Sequence, residues 1–88
     1  MLDLIQAYEN YLKKVKHASD NTIFSYMRDI RQFSQWLNVN EGIDVIDASQ
    51  LNISDYLHHQ ESEGRSGATL SRCLASLKNF YIYLVSSG

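Results

Sequence analysis

The sequence predicts an all-α fold, a compact four-helix bundle, and two observations carry that prediction. Apolar residues recur at three- and four-residue steps in four separate stretches. Strand-like alternation is confined to Ile43 to Ile46, which is too brief to build a sheet. Composition sets the scale. With 88 residues, 44% of them hydrophobic and 20% charged, the chain is expected to form one globular domain over residues 1–88. Such a domain buries roughly 60–65% of its extended-chain surface and has room only for shallow pockets.

In the first helix Leu4, Ile5, Tyr8, Tyr11, Leu12 and Val15 form one apolar stripe over roughly residues 2–16, with Glu9 and Lys13 as an outer i, i+4 pair. Ser19 then offers an N-cap hydroxyl, and Asp20 places an acid in the positively polarised first turn of a second helix. That helix runs to about Leu37. At about 100° per residue, Ile23, Tyr26, Met27, Ile30, Phe33 and Leu37 gather on one side while Asn21, Arg28, Arg31 and Gln35 point away. Phe24 is the one large apolar side chain among the outward polar residues, left for another element or a partner to cover.

Residues 38–47 read as a connection, after which Asp47 or Ser49 caps a third helix that ends before Gly64. Its apolar face, Leu51, Ile53, Tyr56 and Leu57, is narrow, so it is expected to be the least stable of the four. Ser66 caps a fourth, central helix with a core stripe of Leu70, Leu74, Leu77, Tyr81 and Leu84 and with Cys73 and Phe80 at one edge. On its opposite side Thr69, Arg72, Ser76, Asn79 and Tyr83 form a polar, hydrogen-bonding line.

Net charge is −2, which would argue against a nucleic-acid partner if the charge were spread evenly. It is not. Residues 13–31 carry Lys13, Lys14, Lys16, Arg28 and Arg31 against Asp20 and Asp29, and residues 65–78 carry Arg65, Arg72 and Lys78 with no acid. Between them residues 38–63 hold six acids and no Lys or Arg. A chain blocked in this way can present a positive face despite its negative sum. No run of 18 apolar residues exists to span a bilayer, and the start MLDLIQAYEN lacks the basic-then-apolar order of a secretory signal, so a cytoplasmic chain without a membrane partner is expected. The lone Cys73 cannot form an internal disulfide, which agrees with a reducing compartment.

Catalysis needs converging groups, and the pairings here are poor. His58 and His59 are helix neighbours pointing about 100° apart, unlike the i, i+3 or i, i+4 spacing of metal ligands, and His17 stands in a turn. Neither a metal nor another cofactor is expected. Cys73 reads as a buried structural thiol, the acids of 41–63 as a solvated surface, and Tyr8, Tyr26, Tyr56 and Tyr81 as core residues whose hydroxyls reach the surface. Nucleic-acid contact is better supported. The second helix opens Ser19-Asp20-Asn21-Thr22 and then exposes Ser25, Arg28 and Arg31; the fourth opens Arg65-Ser66-Gly67-Ala68-Thr69 and then exposes Arg72. Hydroxyls at a helix N-terminus flanked by arginines suit a phosphate backbone, although the same pattern caps many ordinary helices.

Two fragments carry a resemblance. SDNTIFSYMRDIRQFSQWL is similar to the S-x-x-T-x-x-x-Y-x-x-D-[LI]-x-x-F-x-x-[WF]-L stretch of the N-terminal, SAM-like core-binding domain of tyrosine recombinases of the Xer and phage integrase type. ISDYLHHQESEGRSGATLSRCLASLKNFYIYL resembles that domain's second half, with Y-L before a Gly and then S-x-x-T-[IL]-x-R-x-L-[SA]-[SA]-L-[RK]-x-[FL]-[YF]-x-[YF]-L. Together they cover nearly the whole chain in order.

The resemblance implies a domain that grips one side of double-stranded DNA through its second and fourth helices, in a protein whose catalytic residues belong to a separate C-terminal domain. Nothing in these 88 residues matches that domain, so the chain itself is expected to bind DNA without cleaving it. By position, Thr22, Ser25 and Arg28, and Ser66, Thr69 and Arg72, fall where the family touches phosphates or base edges, Arg72 foremost. Lys78 replaces a commoner Arg, keeping charge but losing the bidentate fork, and serves DNA, a partner or the catalytic domain. Lys16, with Lys13 and Lys14, adds phosphate contacts or is a solvated helix end. Ala68 departs from the basic or polar residue that some members carry there. The family also joins subunits through this domain, and the acidic third helix is the surface expected to face protein. The alternative from another class is a helical protein-interaction module that does not bind DNA.

Overall fold

Serine hydroxyls begin three of the helices. In a computed structural model that describes residues 4–87, the order is α1 (Leu4–Lys14), α2 (Asp20–Glu41), a 3-10 turn (Val45–Asp47), α3 (Gln50–Ser62) and α4 (Gly67–Ser87), with no strand among the described residues. The start expected for the first helix, at residue 2, lies outside them. Ser19 Oγ accepts the amide of Thr22 at 3.2 Å and Ser66 Oγ accepts that of Thr69 at 3.2 Å. Ser49, rather than Asp47, caps α3: its Oγ accepts the Asn52 amide at 3.3 Å, and Asn52 Oδ1 accepts the Ser49 amide at 2.8 Å.

The second helix extends four residues beyond the expected Leu37, so the connection is shorter than residues 38–47. Asn38 to Glu41 form an exposed last turn, invisible to an apolar-stripe argument because it touches no core. Nothing in it opposes a helix until Gly42, whose φ of 63° supplies the left-handed stop. The alternation at Ile43 to Ile46 belongs to no strand. Asp44 caps the 3-10 turn instead, its side chain accepting the Ile46 amide at 3.1 Å.

Helices α2 and α4 form the principal packed pair, with α1 against α2 and α3 against α4. Ile30, Phe33, Leu37, Leu77 and Phe80 have no exposed surface, so the core runs along the α2–α4 seam. Aromatic rings close its two ends. Tyr8 meets Phe80 edge-on with centroids 5.3 Å apart, while Phe33 and Trp36 lie 5.0 and 5.3 Å from Tyr56. Truncating Leu77 to Ala in such a seam costs about 2–5 kcal/mol.

Several expected faces are shifted. In α4 the fully buried line is Cys73, Ser76, Leu77 and Phe80, whereas Leu70, Leu74, Tyr81 and Leu84 are half-buried. The polar line expected opposite the core is therefore largely covered: Ser76 is buried, and Tyr83 packs 5.1 Å from Tyr8 and 4.7 Å from Tyr11. A central helix wedged between neighbours is covered over more of its circumference than its hydrophobic stripe alone indicates. Val15 and Leu51, assigned to apolar stripes, are 63% and 68% exposed, at helix ends where nothing crosses. The Tyr8 and Tyr56 side chains are buried entirely rather than tipped with exposed hydroxyls, and the Tyr81 hydroxyl donates to the Val45 carbonyl, tying α4 to the 3-10 turn.

Candidate nucleic-acid interface

Thr22, Ser25, Asp29 and Gln32 lie along one flank of α2, within an arc of roughly 80° by the helical step, and this flank borders α4. Where it meets the first turns of α4 and the end of α3, Arg28, Asp29, Gln32, Gln60, Arg65, Thr69 and Arg72 enclose an open depression of about 160 Å³. Three arginines from separate segments converge here. Arg28 also lies over the exposed Phe24 ring, 5.9 Å from its centroid, so the outward aromatic and the depression form one continuous surface.

The three arginines are held differently. Among the described residues no carboxylate lies within 4.0 Å of Arg28 or Arg65. Arg65 Nε donates to Gln60 Oε1 at 3.1 Å, and Gln60 Nε2 in turn donates to the Tyr56 hydroxyl, so a neutral chain of hydrogen bonds steers Arg65 from the core outward. Arg72 instead makes a fork on Asp29, with Nε to Oδ2 and Nη2 to Oδ1 both 3.1 Å. Asp29 is only 3% exposed, and Oδ2 also accepts the Ser76 hydroxyl at 3.0 Å. The hydrogen bond from Arg72 and the adjacent carboxylate charge raise the guanidinium pKa above its ordinary value.

Arg72, expected as the foremost DNA contact, is thus first a tie between α2 and α4, with its side chain still 37% exposed. Ser66 and Thr22 are likewise occupied locally. In each of the two S-x-x-T segments the serine caps the helix and its hydroxyl donates to the threonine, Ser19 to Thr22 Oγ1 at 2.9 Å and Ser66 to Thr69 Oγ1 at 3.0 Å. Each threonine keeps its own O–H for an outside acceptor. Ser25 is half-buried on the α2 flank, and Lys16 is exposed in the turn that leaves α1.

Lys78 stands apart from the arginines. It borders an apolar groove between α3 and α4, lined by Ile53, Leu57, Leu74, Tyr81, Ile82 and Val85, with Ile82 63% and Val85 84% exposed. The structure therefore brings together Arg28, Thr69 and Arg72, adds Arg65, Gln32 and Gln60, and leaves Lys78 on a different surface. Asp29 is the residue that periodicity missed. Its position one turn from both Tyr26 and Phe33 marks an acid at the edge of an apolar stripe, a placement that requires a partner.

Several other chemistry-bearing groups are buried or paired. Burial pushes the Cys73 thiol up to about 11, with the Asp29 charge adding to the effect. Burial likewise raises Tyr8 and Tyr56 to about 12. His59 pairs with Glu63 at 3.6 Å and lies against Trp36. Among the described residues no group of three or more His, Cys, Asp or Glu is placed to hold a metal ion, and no helix is long and apolar enough to cross a membrane.

The four-helix architecture agrees with what sequence comparison finds. The model of the phage integrase N-terminal SAM-like domain matches residues 5–88, and the chain belongs to that family. Among its relatives are a candidate tyrosine recombinase of Caldanaerobacter subterraneus, 41% identical over 92% of this chain, and the tyrosine recombinase XerD of Listeria monocytogenes, 34% identical over the whole of this chain. The tyrosine recombinase XerC of Brucella suis is 34% identical over 98% of it. The chain spans 28% to 30% of the length of these relatives. No solved structure matches it significantly.

Proposed function

We propose that this chain is the DNA-gripping domain of a site-specific tyrosine recombinase, holding one side of a duplex recombination site in the cytoplasm while a separate catalytic domain carries out strand exchange for DNA integration or recombination. The observation that carries this reading is the convergence of Arg28, Arg65 and Arg72 on one open depression that none of the acids of residues 38–63 lines. Phosphate contacts from these arginines supply affinity and set register, and the half-buried hydroxyls of Thr22, Ser25 and Thr69 add modest sequence preference. Ser66 acts through Thr69, which it orients. Lys16, exposed in the turn that leaves α1, is a further phosphate contact in this reading. Joined to a second DNA-binding module, such a domain raises apparent affinity by roughly a hundredfold or more.

A second role rests on the apolar groove of α3 and α4. Its exposed Ile82 and Val85, with Lys78 beside them, suit a protein surface, and in this reading the groove meets another subunit or the catalytic domain. If that were the only role, the chain would be an adaptor. Titration with a short labelled duplex at low salt separates the two: the DNA-gripping reading requires affinity that falls steeply with salt, and a pure adaptor shows no such binding.

A further inference from the structure

We infer that Asp29 is a positioning residue for DNA: it holds the Arg72 guanidinium by its inner edge so that the outer edge is presented, already oriented, to a backbone phosphate. This rests on the DNA-gripping reading above. The geometry is specific. A guanidinium carries five N–H groups in a planar fork. Asp29 takes two of them, Nε–H and one on Nη2, and planarity aims most of the remaining three away from Asp29. Arg72 lines the depression beside Arg28, Arg65 and Thr69, and its side chain retains 37% exposure there.

The carboxylate is itself fixed from behind. Ser76, without exposed surface, directs its hydroxyl between Asp29 Oδ2 and the Arg72 carbonyl, both at 3.0 Å. Asp29 therefore cannot rotate without breaking a second buried bond. A buried ion pair is a poor device for stability alone, since apolar residues of equal volume generally serve as well. Orientation is what it adds. A free arginine loses much side-chain freedom when it meets a phosphate, and one already forked on a buried carboxylate has lost it beforehand.

The sign of the charge effect makes the proposal testable. Asp29→Asn removes a negative charge beside a polyanion, so simple electrostatics predicts tighter duplex binding. Positioning predicts the reverse, because an Asn amide turns one arm of the fork into donor against donor. With a labelled duplex and the 88-residue chain, D29N is expected to bind roughly five- to tenfold more weakly at about 0.1 M salt, with the log–log salt slope reduced by about 0.9, the value of one lost phosphate contact. A variant that only folds less well binds less but keeps the slope. Arg72→Lys retains the charge that Asp29 requires, yet its ammonium is drawn to the carboxylate and leaves no outer edge. It should show the same loss of slope, and it decides the matter if D29N does not fold. Wild-type slope in R72K, or wild-type or tighter binding by folded D29N, would overturn the role of Asp29 and leave the DNA reading standing. Absence of salt-dependent binding by the wild-type chain would overturn both.

Discussion

Removing Arg72 leaves the buried Asp29 carboxylate with Ser76 as its remaining side-chain partner among the described residues, so Arg72→Ala is expected to destabilise the fold by about 1.5–3 kcal/mol, read by urea unfolding. A loss below about 1 kcal/mol would show that the pair carries little. Loss of DNA binding in that variant would mix unfolding with a missing contact, whereas Arg28 and Arg65, without a carboxylate within 4.0 Å among the described residues, can be removed without stranding a buried charge. The buried phenols set a second expectation. Tyr8 and Tyr56 lie at about 12, above the ordinary 10, so folding favours their neutral forms. That contribution is complete below about pH 10 and is lost as pH rises through 12. Alkaline titration should show tyrosinate absorbance appearing together with loss of helix; ionisation of both near pH 10 in an intact bundle would contradict their burial. Arg28 and Thr69 could be placed on the site from helical spacing and family motif. The Asp29–Arg72 tie could not, because the partners are 43 residues apart and meet only through the way α2 crosses α4.

At the scale of elements, the ends of helices carry a matched pair of backbone tests. Gly42 closes α2 at φ 63°, and a Cβ there would meet nothing within 4 Å, so Gly42→Ala measures the left-handed conformation alone. His17, after α1, has φ 50° without being glycine. Gly42→Ala should cost about 1 kcal/mol and His17→Gly should recover a similar amount, each shifting the melting temperature by roughly 4–8 °C in opposite directions. Shifts of the same sign would mean that side-chain contacts, not backbone, govern these turns. The number of helices and the serine starts of α2 and α4 were legible in the sequence because caps and apolar periodicity are local, whereas Asp47 and Ser49 stood as equal starts for α3. The end of α2 and the buried face of α4 were not. The extra turn of α2 touches no core, and Ser76 is polar yet buried because Asp29, on another helix, accepts its hydrogen bond.

For the whole molecule, net charge is a poor guide to partners. The chain sums to −2, yet folding gathers Arg28, Arg65 and Arg72 around one depression against a single buried acid, and sets Lys78 beside an apolar groove. One face thus suits a phosphate backbone and another a protein surface, which is the division of labour proposed for a recombinase domain acting within a larger protein. The most direct measurement is the salt dependence of duplex affinity for the wild-type chain, the double variant Arg28→Ala/Arg65→Ala and the single variant Lys78→Ala. The account predicts steep dependence in the wild type, a slope lower by about 1.8 in the double variant, and little change for Lys78→Ala. A double variant indistinguishable from the wild type, or Lys78→Ala as the variant that loses the slope, would contradict it.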